Sequence, residues 1–366
     1  MKILNGKYTL RPFAPEDENG VLELWKIAFK ATISLELFRW KYLENPYTQT
    51  MMLCVTDKDE IVTFYGGIPY FFQYEKKIVP VVNLMDIMSH PMHRENRIFE
   101  KTAKQFMAYF CYPAKRHGPA SLQDNLLLMY GFPGEFHYSI GERILNYRKA
   151  NQVAYMKLSL SNLAESEQPA NIKGLNLNEL NLEAWESDPI WFDRLWDRCK
   201  KNYPFSIVRD SKFIKWRFIN HPEKRYTILK FTNDNNESEA FVVLQINEDK
   251  AAIVDMLIPN DIELFKNVIS RIIDYLDFIN ISSNTNKSMN IDNNINMNEN
   301  IKYKIQYIET WLPENHFLTD HALNCGFLRQ KEPIGIIPTV SLFEHSPTLE
   351  WVTSNLYYNM GDGDLL

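Results

Sequence analysis

The sequence has no C-x-x-C pair, no block of basic residues and no uninterrupted apolar run near the roughly 18 residues that span a bilayer. Each absence removes a class of function. The four cysteines, Cys54, Cys111, Cys199 and Cys325, are scattered, and the eight histidines show no zinc-ligand spacing, so no metal is expected. Unpaired thiols fit a reducing compartment, and the expected location is the cytoplasm. A net charge of −6 with no aromatic-spaced basic stripe argues against a nucleic-acid partner. The opening residues M-K-I-L-N-G-K-Y hold neither the apolar core nor the small-residue cleavage site of a signal peptide, and no membrane partner is expected.

What is present is enough apolar and aromatic material for about two domains in 366 residues. Tyr8 to Arg11 reads as a strand. The acidic turn after Pro15 leads into a helix that buries Val21, Leu24, Trp25 and Ala28. A short helix over Leu35 to Leu43 stops at Asn45-Pro46. Met52 to Val55 and Ile61 to Tyr70 are strands around the turn Asp57 to Glu60. Next comes the stretch on which the rest depends, Val82 to Pro113. It begins as an apolar strand interrupted by Asp86 and ends as a helix with Ile98, Phe99, Ala103, Phe106 and Phe110 on one face. Between strand and helix lies the turn His93-Arg94-Glu95-Asn96-Arg97, where free backbone N–H groups and two guanidinium groups suit an anion such as a pyrophosphate. Leu126 to Tyr130 is a further strand, Phe136 to Leu145 a helix and Val153 to Leu158 another strand. Residues 282–300, rich in Asn and Ser, cannot bury enough apolar surface to order themselves and are expected to be disordered.

A repeat is visible. Phe38-Arg39-Trp40-Lys41-Tyr42-Leu43-Glu44-Asn45-Pro46 is echoed by Ile214-Lys215-Trp216-Arg217-Phe218-Ile219-Asn220-His221-Pro222. A strand, polar turn and strand follow each copy, and Met85-Asp86-Ile87-Met88 then pairs with Val254-Asp255-Met256-Leu257. Three matches in the same order predict two copies of one fold. The expected limits are an N-terminal domain over 1–160, a linker over 161–184, a C-terminal domain over 185–346 and an acidic, frayed tail over 347–366 ending in Gly361-Asp362-Gly363-Asp364.

The central segment resembles the acyl-CoA-binding segment of the GNAT superfamily of N-acetyltransferases. Many members read R-G-x-G-I-F where this chain reads Arg94-Glu95-Asn96-Arg97-Ile98-Phe99; the Arg and the Ile-Phe match, and Glu95 and Arg97 replace the glycines. The opening L-R-P-F-A-P-E-D before an amphipathic helix, and the Gly131-Phe132-Pro133 after a strand, are similar to the same family. The resemblance implies an α/β (α+β) fold, here as two tandem GNAT-like domains, each a mixed, mostly antiparallel sheet flanked by helices. It implies acetyl-CoA or another acyl-CoA as cofactor, held by Met88, Ser89, Arg94, Glu95, Asn96, Arg97, Ile98 and Phe99. The implied reaction is N-acyl transfer to a primary amine on a small molecule or amino sugar.

Such a transfer needs a base for the amine, a donor for the oxyanion and an acid for the thiolate. Asp86, a carboxylate within an apolar strand, is the expected base, and a buried structural Asp is the competing reading because Asp255 repeats it. The backbone N–H near Met88 and Ser89 is the expected oxyanion donor. Tyr138 and Glu142, from the helix after Gly131-Phe132-Pro133, are the candidate acids, with Glu142 at the family's tyrosine position. His90 and His93 read as exposed turn residues or relay bases. In the second half, Ala322 stands at the tyrosine position, and Asp261 and Glu263 open the helix where a pyrophosphate would sit, so that half is expected to be a scaffold or acceptor-binding unit. Two other activities fit the same pattern: a tandem GNAT-fold protein that binds a ligand or partner without catalysis, and a Fem-type aminoacyl transferase.

Overall fold

Alternate side chains of the strand Thr50–Thr56 enter two different cores: Met52 joins one cluster, Met51, Leu53 and Val55 the other. That strand is therefore buried on both faces, which is why its sequence is a continuous apolar run. The computed structural model describes residues 2–4, 6–47, 49–93, 97–111, 126–161, 174–180, 182–285 and 303–363. The chain divides into two units. One holds Met1–Ala150, His221–Glu223 and Ile334–Thr353; the other holds Asn151–Asn220, Lys224–Pro333 and Ser354–Leu366.

In chain order the strands are β1 (Lys2–Leu4), β2 (Tyr8–Pro12), β3 (Thr50–Thr56), β4 (Ile61–Tyr74), β5 (Lys77–Ser89), β6 (Leu128–Gly131), β7 (Arg148–Lys149), β8 (Val153–Ser159), β9 (Asn176–Leu180), β10 (Phe205–Ile207), β11 (Thr227–Thr232), β12 (Ser238–Ile246), β13 (Lys250–Leu257), β14 (Tyr307–Pro313), β15 (Leu328–Gln330) and β16 (Thr339–Leu342). The sheet of the first unit runs β1-β2-β3-β4-β5-β6-β16-β7. Only the β5–β6 pair is parallel; the others are antiparallel. The sheet of the second unit runs β15-β8-β14-β13-β12-β11-β9, with β13–β14 the one parallel pair. Each parallel pair needs a crossover, and a helix supplies it: Ile98–Phe106 lies between β5 and β6, and Ile262–Thr285 between β13 and β14. The class expected from sequence, α/β with mostly antiparallel sheets flanked by helices, is the class observed.

Two strands lie in a different sheet from the one their position in the chain implied. Val153–Ser159, expected within 1–160, pairs with β14 and β15 of the second unit. Thr339–Leu342, expected within 185–346, pairs with β6 and β7 of the first. The tail also departs from expectation. The helix Leu349–Asn355 precedes a buried turn, Met360–Asp362, which Arg209 and Arg217 hold through Asp362 Oδ2 at 2.8 Å and the Gly361 carbonyl at 2.9 Å. Ser282 to Thr285, expected to be disordered, complete the long helix; residues 286–302, the rest of the 161–184 linker at 162–173, and Asp364 lie outside the described residues. Cys54, Cys199 and Cys325 are free, and burial pushes the Cys54 thiol up to about 12, where it is not a nucleophile. Among the described residues no helix is long and apolar enough to cross a membrane.

Candidate active site

β4 and β5 form the longest ladder of the first unit, and its register breaks once. Phe64 faces Met88 and Gly66 faces Met85, so β5 carries one extra residue at this point. This is a β-bulge, and Asp86 sits in it with φ of +52°. A short polar side chain tolerates that left-handed conformation better than a branched or bulky one. The bulge turns the Asp86 carboxylate toward the helix Leu35–Tyr42. Lys41 Nζ donates to its Oδ2, and so does the Tyr42 hydroxyl at 2.6 Å. Burial and the adjacent carboxylate hold the Tyr42 phenol well above its ordinary value, so it stays a donor. Lys41 is the residue that sequence reading missed. It lies inside the repeated Trp motif, where its ordinary reading is a solvated helix charge, and only the tertiary fold pairs it with a residue 45 positions away.

Just before the bulge β5 loses a neighbour. Its parallel pairing with β6 covers Val82–Met129 and Asn83–Tyr130 only. A Cβ on Gly131 would lie 3.0 Å from the Leu84 carbonyl oxygen, so the strands still touch there, and β6 then ends. Val81 to Asn83 are fully buried, but Leu84 to Ile87 are only half-buried, although they lie in the middle of a sheet. Among the described residues no strand pairs with the β6-facing edge of β5 past Asn83, which leaves a slot along its second half. Ser89, at its end, has a buried hydroxyl with no hydrogen-bond partner, as does Thr63 opposite it. Met88, the other expected oxyanion position, is buried in the core and faces Phe64.

The helix Ile98–Phe106 follows this strand in the chain and packs on β3 and β4. Arg97 precedes it with φ of +53°, taking without a glycine the left-handed backbone that glycine adopts readily. Its guanidinium pairs with Glu100 rather than standing free, and Lys104 and Arg97 hold the Glu100 carboxyl below the usual range. Ile98 is buried, and Phe99 packs edge-on to His137 at 6.0 Å and against Tyr65 at 6.2 Å. Arg94, Glu95 and Asn96, expected to hold the cofactor, lie outside the described residues.

The helix Glu135–Leu145 brings two expected residues together. The Tyr138 hydroxyl donates to Glu142 Oε1 at 2.8 Å, one helical turn away. Tyr138 is buried and Glu142 exposed. Burial, and then Glu142, raise the Tyr138 phenol above its ordinary value, so it keeps its proton at neutral pH. Among the described contacts none joins this pair to Asp86. Asp86 meets Tyr42, of the core cluster that includes Phe64 and Met88, whereas Tyr138 belongs to the cluster that includes Tyr65 and Val82. Since residues 64 and 65 alternate, these are opposite faces of the sheet. His137, which the sequence reading passed over, is neutral at pH 7 because burial lowers its pKa, and it adjoins Phe99.

In the second unit Asp255, paired with Val243 of β12, flanks a bulge in which Val254 is the extra residue. It pairs with fully buried Arg209 at 2.8 Å. The following helix is closed to an anion: Asp261 Oδ1 accepts the N–H groups of Glu263 and Leu264, both at 3.0 Å.

Comparison with known proteins agrees with this geometry. Residues 9–115 match the family model described as the acetyltransferase (GNAT) domain. No curated protein matches the sequence. Among solved structures, a probable N-acyltransferase from Enterococcus faecalis V583 is similar at a TM-score of 0.64 and 11% identity, over 92% of this chain and 73% of that one. A GCN5-related N-acetyltransferase from Kribbella flavida is similar at 0.60 and 9% identity, over 92% and 71%. The Saccharomyces cerevisiae N-myristoyltransferase with bound myristoyl-CoA is similar at 0.58 and 12% identity, over 95% and 81%. At these identities the structural likeness establishes the fold.

Proposed function

We propose that this protein is an acyl-CoA-dependent N-acyltransferase, acetyl-CoA being the simplest donor, because residues 9–115 match the GNAT acetyltransferase domain model. The acceptor on this reading is a primary amine of a small molecule or amino sugar. The observation that carries the proposal is the slot beside β5, where a buried strand becomes half-buried from Leu84 to Ile87, across the bulge, after its pairing with β6 ends at Asn83. An acyl-pantetheine arm fits such an edge because it can pair with backbone N–H and C=O groups as a strand would. Ser89, with its unsatisfied buried hydroxyl, is at the end of that path. The helix start at Arg97 already has the backbone that a glycine would supply, so Ile98 and Phe99 can present N–H groups to a pyrophosphate. Arg94 adds charge there; Glu95 opposes it and keeps the affinity modest.

In the transfer, the amine nitrogen attacks the thioester carbonyl, the C–N bond forms, the C–S bond breaks, and a proton passes from amine to thiolate. We assign the backbone N–H groups near Met88 and Ser89 to the oxyanion. Asp86 receives the amine proton; Lys41 and Tyr42 both engage Oδ2, which leaves Oδ1 for the amine. Tyr138, protonated and backed by Glu142, stands on the opposite face of the sheet from Asp86, and on this reading it supplies the thiolate proton from that face, through the gap where β5 and β6 part. The second unit repeats the strand order around its own parallel pair, and we read it as a second copy of the fold. Its self-capped helix start makes it the scaffold or acceptor half.

Calorimetric titration with acetyl-CoA, coenzyme A and a longer acyl-CoA tests the proposal. One saturable site is expected, weakened by about 1–3 kcal/mol in Arg94→Ala, the scale of a lost charge-assisted hydrogen bond. Thiol release against a panel of amines then reads turnover. Asp86→Asn, which keeps a residue tolerant of the left-handed backbone, is expected to lower kcat and leave cofactor affinity unchanged. Absence of binding would make a non-catalytic tandem protein the better account. Transfer only from a charged tRNA would support the Fem-type reading.

A further inference from the structure

Apart from the slot, three ligand-type side chains converge on the other side of β5. Glu60 ends the turn between β3 and β4, and His90 and His93 follow β5. The pairing of Thr63 with Ser89, continued by the His90 N–H to the Val62 carbonyl at 2.8 Å, brings the two ends together. One donor atom from each of the three side chains lies within 4.8 Å of the others. His93 Nε2 is 3.6 Å from Glu60 Oε2, and His90 Nε2 is 3.9 Å from Oε1. Both separations are too long for hydrogen bonds. Around a tetrahedral zinc ion, with bonds of about 2.0–2.2 Å, neighbouring ligand atoms lie roughly 3.3–3.5 Å apart, so the two Glu60–histidine separations need shorten only by a few tenths of an ångström. The His93 ring is already oriented, because the buried Tyr8 hydroxyl lies 3.0 Å from its Nδ1, the kind of outer contact that fixes a ligating imidazole. Both histidines are mostly shielded, with side-chain exposures of 14% and 16%. The cost falls on His90: its Nδ1 accepts the Met92 N–H at 3.2 Å, and ligation through Nε2 moves the ring proton to Nδ1 and breaks that contact.

We propose that Glu60, His90 and His93 bind one divalent transition-metal ion of the zinc class, with water in the fourth position, tying the β3–β4 turn to the segment that leads into the helix Ile98–Phe106. The sequence shows no zinc-ligand set here, because the third ligand lies thirty residues upstream of His90 and only strand register delivers it.

The test uses the full chain stripped with a chelator, titrated with Zn²⁺ by calorimetry and with Co²⁺ by visible absorption. One ion per chain is expected, with tetrahedral Co²⁺ bands and a rise in Tm on adding Zn²⁺. Glu60→Gln and His93→Ala are each expected to weaken binding at least ten-fold. Tyr8→Phe, which keeps the ring and removes only the hydroxyl, is expected to weaken it about ten-fold. Circular dichroism of the metal-free variants checks that the fold is kept, and the conservative Glu60→Gln and Tyr8→Phe changes suffice if His93→Ala fails to fold. Absence of saturable binding overturns the proposal, and so does affinity unchanged in Glu60→Gln and Tyr8→Phe.

Discussion

At the scale of single residues, His316 is a side chain whose chemistry the fold alters strongly. It is enclosed by the rings of Tyr203, Phe317 and Tyr357 at centroid distances of 5.3, 4.3 and 4.6 Å, and burial pushes its pKa down to about 3. In the unfolded chain a histidine titrates near ~6.5. Between those values the unfolded state binds a proton that the folded state refuses, so stability falls as pH drops through that window. The slope is at most about 1.4 kcal/mol per pH unit. Asp362 works the other way. Burial, only partly offset by Arg209, raises it to about 6, so below that pH the folded state takes up the proton first. The two offset each other between pH ~6 and ~4. In His316→Asn the side chain can still accept the Leu318 N–H at the helix start, but the titration is gone. Denaturant unfolding across this range is expected to show the variant gaining stability relative to the parent as pH falls. Parallel curves would mean that His316 is not the acid-sensitive group. In sequence His316 carried no mark at all, because its neighbours come from Tyr203 and Tyr357, far along the chain.

At the scale of elements, the helix Glu135–Leu145 shows how a cap fixes a packing. Asn146 ends it in the left-handed conformation, φ +57°, and the chain turns back so that the Tyr147 N–H reaches the Gly141 carbonyl at 3.2 Å. The Tyr147 ring then lies against the helix at Gly141. A Cβ there would fall 2.0 Å from ring atom Cδ2, so glycine is required by contact rather than by φ. Tyr147 is buried, its pKa is raised to about 12, and its hydroxyl lies 3.2 Å from that of Tyr65 on β4. Gly141→Ala is expected to cost about 1–3 kcal/mol, the range for overpacking a filled core. Shrinking the ring in Gly141→Ala/Tyr147→Leu should recover part of the loss relative to Tyr147→Leu alone. Equal denaturation midpoints for parent and Gly141→Ala would show that the ring yields freely. An Asn directly after an apolar-periodic helix is a C-cap signal readable from local sequence; the contact at Gly141 was not, because no local pattern says which turn of a helix a returning ring will meet.

At the scale of the whole molecule, connectivity decides when each sheet can close. β6 pairs on one side with β5 and on the other with β16, whose residues Thr339–Leu342 come about two hundred positions later. Until they arrive, β6 has an open edge of buried-type residues, Leu128 to Gly131. A fragment of residues 1–160, the natural reading of the N-terminal domain from sequence, lacks that strand. It is expected to aggregate or remain loosely folded, where the full chain gives a monodisperse peak and a cooperative melt. Supplying residues 334–353 through a flexible linker to the same fragment should restore cooperativity. A fragment of 1–160 that melts as sharply as the full chain would show that β16 is dispensable.

The sequence by itself determined the elements and their order. Apolar periodicity named the strands and helices, and the two Trp motifs with their following Asp strands exposed the repeated pattern. The charged turn before Ile98-Phe99 marked the helix start that we propose for an anion. These features depend on residues within a few positions of each other, which is the range over which backbone geometry and side-chain pattern constrain one another. The tertiary structure decided the rest. It gave Asp86 to Lys41, brought Glu60 to His90 and His93 through strand register, and exchanged Val153–Ser159 and Thr339–Leu342 between the two sheets. Both of those strands are short apolar runs that fit any free antiparallel edge equally well. Which edge each one takes depends on where the rest of the chain leaves an edge unpaired, and no local sequence records that.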